Sequence, residues 1–168
     1  LLYVTAKEAK LQLIQNRFSG LLGQPILGYE LAQMWCDDDQ QWSDWMDLPL
    51  FLTVGDSTLS ISWQKFDDLA IEVGRVLPFS LGGSTVRWQW EGVAVLDAIL
   101  GATIAAVSLG RGQMSIGGSE LEIWTRLLIT LDSGITLDVF NALDANGIAL
   151  VTLEPRDEVI QAVGLKPQ

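Results

Sequence analysis

The stretch Leu127–Ile148 repeats the alternating text of Leu50–Ile71, and this repetition constrains the fold more than any other feature of the chain. In the earlier segment Leu50, Leu52 and Val54 alternate with Phe51 and Thr53, turn at Gly55-Asp56-Ser57, and resume with Leu59, Ile61 and Trp63 against Ser60 and Ser62. In the later one Leu127, Ile129 and Leu131 turn at Asp132-Ser133-Gly134 into Leu137 and Val139. A period of two broken by Gly, Asp and Ser is the pattern of a β-hairpin with one buried face.

The spacing extends beyond the hairpins. Leu22-Gly23, Ile26 and Leu31 recur as Leu100-Gly101, Ile104 and Leu109, each pair 78 positions apart. Thr53 and Thr130 match at 77, Leu59 and Leu137 at 78, and Asp67 and Asp144 again at 77. The one-residue changes therefore fall between strands, where a slip does not turn side chains to the wrong face. The implied fold is α+β and mainly β: two duplicated antiparallel β-meanders with a repeat of about 78 residues, packed as one pseudo-twofold domain. The halves divide as 1–80 and 81–168 of one compact unit, and the exposed apolar face that each would present alone is hidden by the other.

Helices are expected near both termini. Thr5-Ala6-Lys7-Glu8 has the form of a capping box, followed by Ala6, Ala9, Leu13 and Ile14 at helical spacing, with Lys7, Lys10 and Arg17 off that stripe. Pro155 with Asp157 and Glu158 has the composition of a first helical turn running through Val159, Ile160 and Val163 to Gly164. From Pro25 to Trp35, Leu27, Tyr29 and Leu31 alternate as a strand. Val86–Glu91 reads as a strand with no counterpart ahead of the first half, Val76–Thr85 as a connector, and Val93–Leu100 as a helical turn.

Composition narrows the chemistry. The 168 residues hold 49% hydrophobic residues, enough for one proper core. With 21 acidic against 10 basic residues the net charge is −11, which opposes nucleic acid and anionic membranes as partners. Histidine is absent and Cys36 is the one cysteine, which removes the usual neutral-pH base, the Ser-His and Cys-His nucleophile pairs, any intramolecular disulfide and a thiolate zinc cage. No cofactor is implied. No run approaches the ~20 apolar residues of a membrane-spanning helix, and a soluble, cytoplasmic protein is expected.

The oddest local composition is Trp35–Asp47, which only one half possesses and which reads as an exposed loop. Its Trp35, Trp42 and Trp45, beside Asp44 and Asp47, suit a partner- or ligand-binding surface. Asp37, Asp38 and Asp39 are weak candidates for calcium, because the loop lacks the glycine and the twelfth-position acid of an EF-hand. The glycines from Gly110 to Gly118 fit a hairpin loop rather than a phosphate cradle, and Asp67 and Asp144 read as turn residues. The function these features imply is a non-enzymatic acidic protein-binding or regulatory module, its partner another protein, a basic one being favoured by charge, or a second copy of itself. The alternative is a carbohydrate-binding or carboxylate-dependent hydrolase domain using the same Trp/Asp loop 35–47.

Overall fold

The computed structural model describes residues 1–166, which form two antiparallel sheets, two helices and a small hairpin. Helix α1 (Lys7–Phe18) precedes β1 (Ile26–Cys36), β2 (Gln41–Asp44), β3 (Leu50–Val54), β4 (Ser57–Gln64), β5 (Asp68–Val73) and β6 (Val86–Gln89). After the one-turn α2 (Ala94–Asp97) come β7 (Ile104–Arg111), β8 (Ser115–Ile116), β9 (Ser119–Glu120), β10 (Trp124–Leu131), β11 (Thr136–Asn141), β12 (Asn146–Val151) and β13 (Val159–Gly164). No helix among the described residues is long and apolar enough to cross a membrane.

The pairing follows the alternating text. In the first sheet β1 pairs with β3, β3 with β4 and β4 with β5, and β6 pairs with β1. In the second, β7 pairs with β10, β10 with β11 and β11 with β12, and β13 pairs with β7. Tyr29, Leu52 and Leu59 stand in register in one sheet, as Val107, Ile129 and Leu137 do in the other. Both first strands carry an irregularity, between Ile26 and Gly28 and between Ile104 and Ala106. The first one corrects the expected alternation: Ile26 is fully buried, while Leu27 is 58% exposed.

The two sheets meet at the entries to β1 and β7. Gly23 N–H donates to Ile104 O and Gly101 N–H donates to Ile26 O, both at 2.8 Å. Between them Ile26 N–H donates to Ala102 O (2.9 Å) and Ile104 N–H to Gln24 O (3.2 Å), about a bridge between Pro25 and Thr103. Both glycines have positive φ, +76° and +85°, a conformation that side chains resist. The inner faces of both sheets then close on one apolar cluster, with Leu52, Ile61 and Trp63 from one side and Leu109, Ile129 and Val139 from the other.

Several local expectations are corrected. The segment after Pro155 is not a helix: the Asp157 carboxylate accepts from Glu154 N–H, Asp157 N–H donates back to Glu154 O to close a turn, and Val159–Gly164 adds to the free edge of β7 as β13. The capping box does not form, because Thr5 Oγ1 donates to Asp68 at 2.7 Å and Ala6 is the N-cap. The helix buries Lys10, Ile14 and Phe18 at i, i+4 and i+8, so Lys10 lies on the core stripe and not off it. Phe51, Ser60 and Ser62, expected on an open face, are also buried. The connector after β5 covers them, with Ser60 donating to Gly74 O and accepting from Val76 N–H, and Tyr3 reaches Ser62. The strand Val86–Gln89 does not open the second sheet; it hydrogen-bonds to β1.

Two polar groups sit inside the contact between the sheets. Asn146, 2% exposed, accepts from Trp63 N–H at 2.8 Å and donates to Ile61 O and Leu48 O, while Trp63 Nε1 donates to Val139 O at 2.8 Å. Lys10 donates to Trp124 O at 2.8 Å, stands 3.7 Å from Asp67 and lies over the Trp63 ring. Burial lowers its pKa from 10.5, opposed by Asp67. Asn146→Ala strips partners from three buried backbone groups and is expected to cost about 3 kcal/mol by chemical denaturation. Between the lowered pKa of Lys10 and 10.5 the unfolded chain holds more protons than the folded one, so this residue's contribution to stability rises with pH through that window. In Lys10→Met that rise is lost. Melting temperatures measured from pH 7 upward should move in favour of the wild type as pH increases; a constant difference would refute it.

Candidate functional site

The Trp/Asp segment is a hairpin and not the expected loop. β2 pairs back on the end of β1, setting Trp35 opposite Trp42 and Gln33 opposite Asp44. The two indoles meet edge to face with centroids 5.5 Å apart, and the Arg87 guanidinium from β6 lies 4.4 Å from the Trp42 centroid. Gln33, nearly buried, links the polar side of this platform: its amide donates to Asp44 at 2.8 Å and its carbonyl accepts from Arg87 at 2.8 Å. Trp35, Trp42 and Asp44 are thus brought together. Trp45 and Asp47 are not part of that group, since Trp45 packs on Phe79 of the connector at 5.9 Å and its indole N–H donates to Asp47 at 3.3 Å.

The tip is acidic and occupied with its own bonds. Asp37 accepts from the Trp35 indole at 3.0 Å and Asp39 from the Cys36 thiol at 3.4 Å, while Gln40 takes a left-handed backbone at φ +51°. Among the described residues, no three carboxylates or thiols converge as a metal ion requires, and Asp37, Asp38 and Asp39 are exposed in the turn. Asp67 and Asp144 differ in their work: Asp67 faces Lys10, whereas Asp144 accepts from Lys65 N–H at 2.6 Å, across to the other sheet. Trp88 pairs with Phe51 (4.7 Å) beneath Arg75, and Trp90 is exposed.

A groove lies on the other sheet, in residues to which the sequence assigns no binding role. This groove of about 620 Å³ runs over the faces of β10 and β11 turned from the core, with Phe66, Met114, Ile123, Phe140 and Leu143 on its apolar side. Its floor is an ion-pair lattice: Arg126 Nε donates to Asp138 at 2.9 Å and stands 3.7 Å from Asp157, and Arg111 stands 3.0 Å from Glu158 and 3.8 Å from Glu120. Asp138 is 4% exposed, and among the described residues its Oδ1 has no hydrogen-bond partner; nor has the buried Nε of Arg111. A side chain at Gly147 would collide with the Phe140 ring, so the glycine lets that ring lie flat on the neighbouring strand.

The rim holds backbone strain. Leu143 and Asp144 form the two-residue turn between β11 and β12 with φ of +62° and +63°, and Leu143 is 68% exposed. Leucine in the left-handed region costs about 1 kcal/mol, where Asn or Gly would serve the turn better. The Asp-Ala-Asn-Gly text after Leu143 marks a turn in the sequence, but nothing in it marks the leucine.

Burial raises the pKa of Asp138 from 3.8, opposed by Arg126. The folded chain therefore holds this proton more firmly than the unfolded one, and the contribution of Asp138 to stability falls as pH rises through the window above 3.8. Asp138→Asn removes that dependence. The melting temperature of the wild type relative to the variant should fall as pH rises above 3.8; a rise over that range would show a carboxylate held below its ordinary pKa by Arg126. No protein-family model, curated protein or solved structure matches this chain.

Proposed function

We propose that the chain is a non-catalytic binding module in which two copies of one small sheet unit form a rigid pseudo-twofold frame, and the β1–β2 hairpin engages a basic segment of another protein. The frame reading is supported by the matching pairings of the two sheets, the irregularity at Leu27 and again at Ala105, and the reciprocal hydrogen bonds of Gly23 and Gly101. In this reading β6, which pairs with β1 as β13 pairs with β7, is grouped with the first copy although it follows the 80/81 division read from the sequence. The hairpin then becomes one of the features in which the copies differ, β8–β9 occupying the corresponding insertion.

The observation that carries the binding reading is Arg87 stacked on Trp42 with Gln33 bridging it to Asp44. The hairpin already receives one guanidinium from its own chain, and this is the recognition expected for a guanidinium from a partner. The stretch from Phe18 to Gln64 contains no lysine or arginine, while Asp37, Asp38, Asp39, Asp44 and Asp47 are exposed around the indoles. A basic partner thus meets carboxylates unscreened by cations of this stretch, and association should weaken with salt.

The expected outcome for Trp35→Ala/Trp42→Ala is at least a tenfold loss of affinity for an arginine-rich probe peptide in fluorescence anisotropy, about 1.4 kcal/mol or more. Affinity for the unchanged protein should drop between about 50 and 300 mM salt. Equal binding by wild type and variant, each with an intact thermal transition, would remove the hairpin as the site.

A further inference from the structure

We propose that the outer edge of β12 is a docking surface for a second copy of this chain, which adds to it as an antiparallel strand about a twofold axis. The register of β12 identifies the main-chain groups available. Ala142 N–H donates to Ala145 O at the turn, so by alternation Gly147, Ala149 and Val151 exchange their bonds with β11. The main-chain groups of Asn146, Ile148 and Leu150 therefore point away from the sheet, and Asn146 N–H, which donates to Met46 O at 2.9 Å, follows that direction. Among the described residues, the N–H and C=O groups of Ile148 and Leu150 have no partner.

Two observations set this edge apart from one that is merely solvated. β5 ends the strand order of the first sheet as β12 ends that of the second, and there the chain covers its own edge. Val4 and Leu69 exchange both main-chain bonds, at 2.9 and 3.0 Å, and Arg17 Nε donates to Ile71 O at 2.8 Å. The N-terminal segment thus acts as an added strand on β5, and β12 receives none. The second observation is compositional. Edge strands left in water are ordinarily guarded by charges, proline or a bulge. β5 carries Asp68 and Glu72 even beneath its cover, whereas 145–153 contains no charged residue and no proline, and β12 runs without a register break.

Donors and acceptors alternating along a strand edge are matched by another extended main chain. Among such chains a second copy is the one this edge selects, because an uncharged edge has nothing with which to steer a charged foreign segment and is complementary to itself. Met46 occupies the approach at Asn146, which places the centre of the pairing at Leu150. Each Leu150 then exchanges both main-chain bonds with its counterpart, and Ile148 faces Thr152, which is exposed just past the strand. The two edges consume each other, so assembly through them stops at two. This surface is independent of the β1–β2 hairpin, and either can fail without the other.

The test is sedimentation equilibrium of the whole chain from about 1 to 200 μM, with amide hydrogen exchange read by ¹⁵N NMR at both ends of that range. The expected result is a mass that rises from one chain to two and stops there, with exchange at Ile148 and Leu150 slowing as the dimer fills. Thr152→Pro removes an N–H that the pairing uses and the fold does not, and should weaken the dimer at least tenfold with an unchanged melting temperature in dilute solution. Val151→Glu, which brings two carboxylates close across the axis, should do the same. Trp35→Ala/Trp42→Ala should leave the dimer intact. Each copy carries a net charge of −11, so added salt should strengthen the association, the reverse of its effect on a basic partner at the hairpin. A mass of one chain throughout, a dimer that persists in both β12 variants or is lost in the tryptophan variant, or slowed exchange confined to other strands would each overturn the proposal.

Discussion

The four main-chain hydrogen bonds between the entries of β1 and β7 are the constraint from which the rest of the structure takes its geometry. They set Ile26 and Ile104, both fully buried, beside each other at the start of the strands that pair with β3 and β10. From there the alternation of each strand decides which residues enter the common interior. A shift of one residue at this junction would turn Tyr29 and Leu31, or Val107 and Leu109, out of the core. The left-handed glycines Gly23 and Gly101 make the approach feasible, since each gives its N–H to the opposite strand while the chain reverses.

Apolar closure alone would let the two sheets slide, because hydrophobic contact has no direction. The directional contacts lie at the far side of the interior. Asn146 satisfies Trp63, Ile61 and Leu48 main-chain groups from the other sheet, and Trp63 returns a bond to Val139. Lys10, carried in by α1, ties the helix to Trp124 of β10 and to Asp67 after β4. An unmet buried donor or acceptor costs much more than a met one contributes, so these groups penalise misdocked arrangements more than they stabilise the correct one.

The strands of the two meanders were legible because each hairpin carries a strict period of two, and the turn residues Gly55-Asp56 and Ser133-Gly134 fall where pairing requires. What was not legible depends on partners distant in sequence. Val159–Gly164 has the composition of a helix start, and only the open edge of β7 makes it a strand. Gln41–Asp44 looked like loop because its alternation is too short and polar, and pairing with β1 decides it. Lys10 reads as a solvent residue until Trp124 O and Asp67 are brought to its ammonium. Of the hairpin site, the residue types were visible but not the partition that leaves Trp45 with Phe79; Arg87, 43 positions beyond Asp44, was out of reach. The groove was invisible for a stronger reason: Arg111, Asp138 and Phe140 lie on alternating strands where any one of them reads as an ordinary surface residue.

Gln33 and Arg111 stand 78 positions apart, at the same point on β1 and β7, where each strand leaves the shared interior. Their side chains bond with opposite polarity: Gln33 accepts from Arg87 of β6, while Arg111 donates to Glu158, just ahead of β13. Interior positions such as Ile26 and Ile104, or Leu59 and Leu137, are alike in their chemistry because the core they share admits little but apolar side chains. Positions past the interior are released from that demand. One of these ends carries a guanidinium stacked on tryptophan, and the other carries a guanidinium in a carboxylate lattice with one buried donor left over. The polar chemistry past the interior thus differs between the two sheets although both close on one apolar cluster.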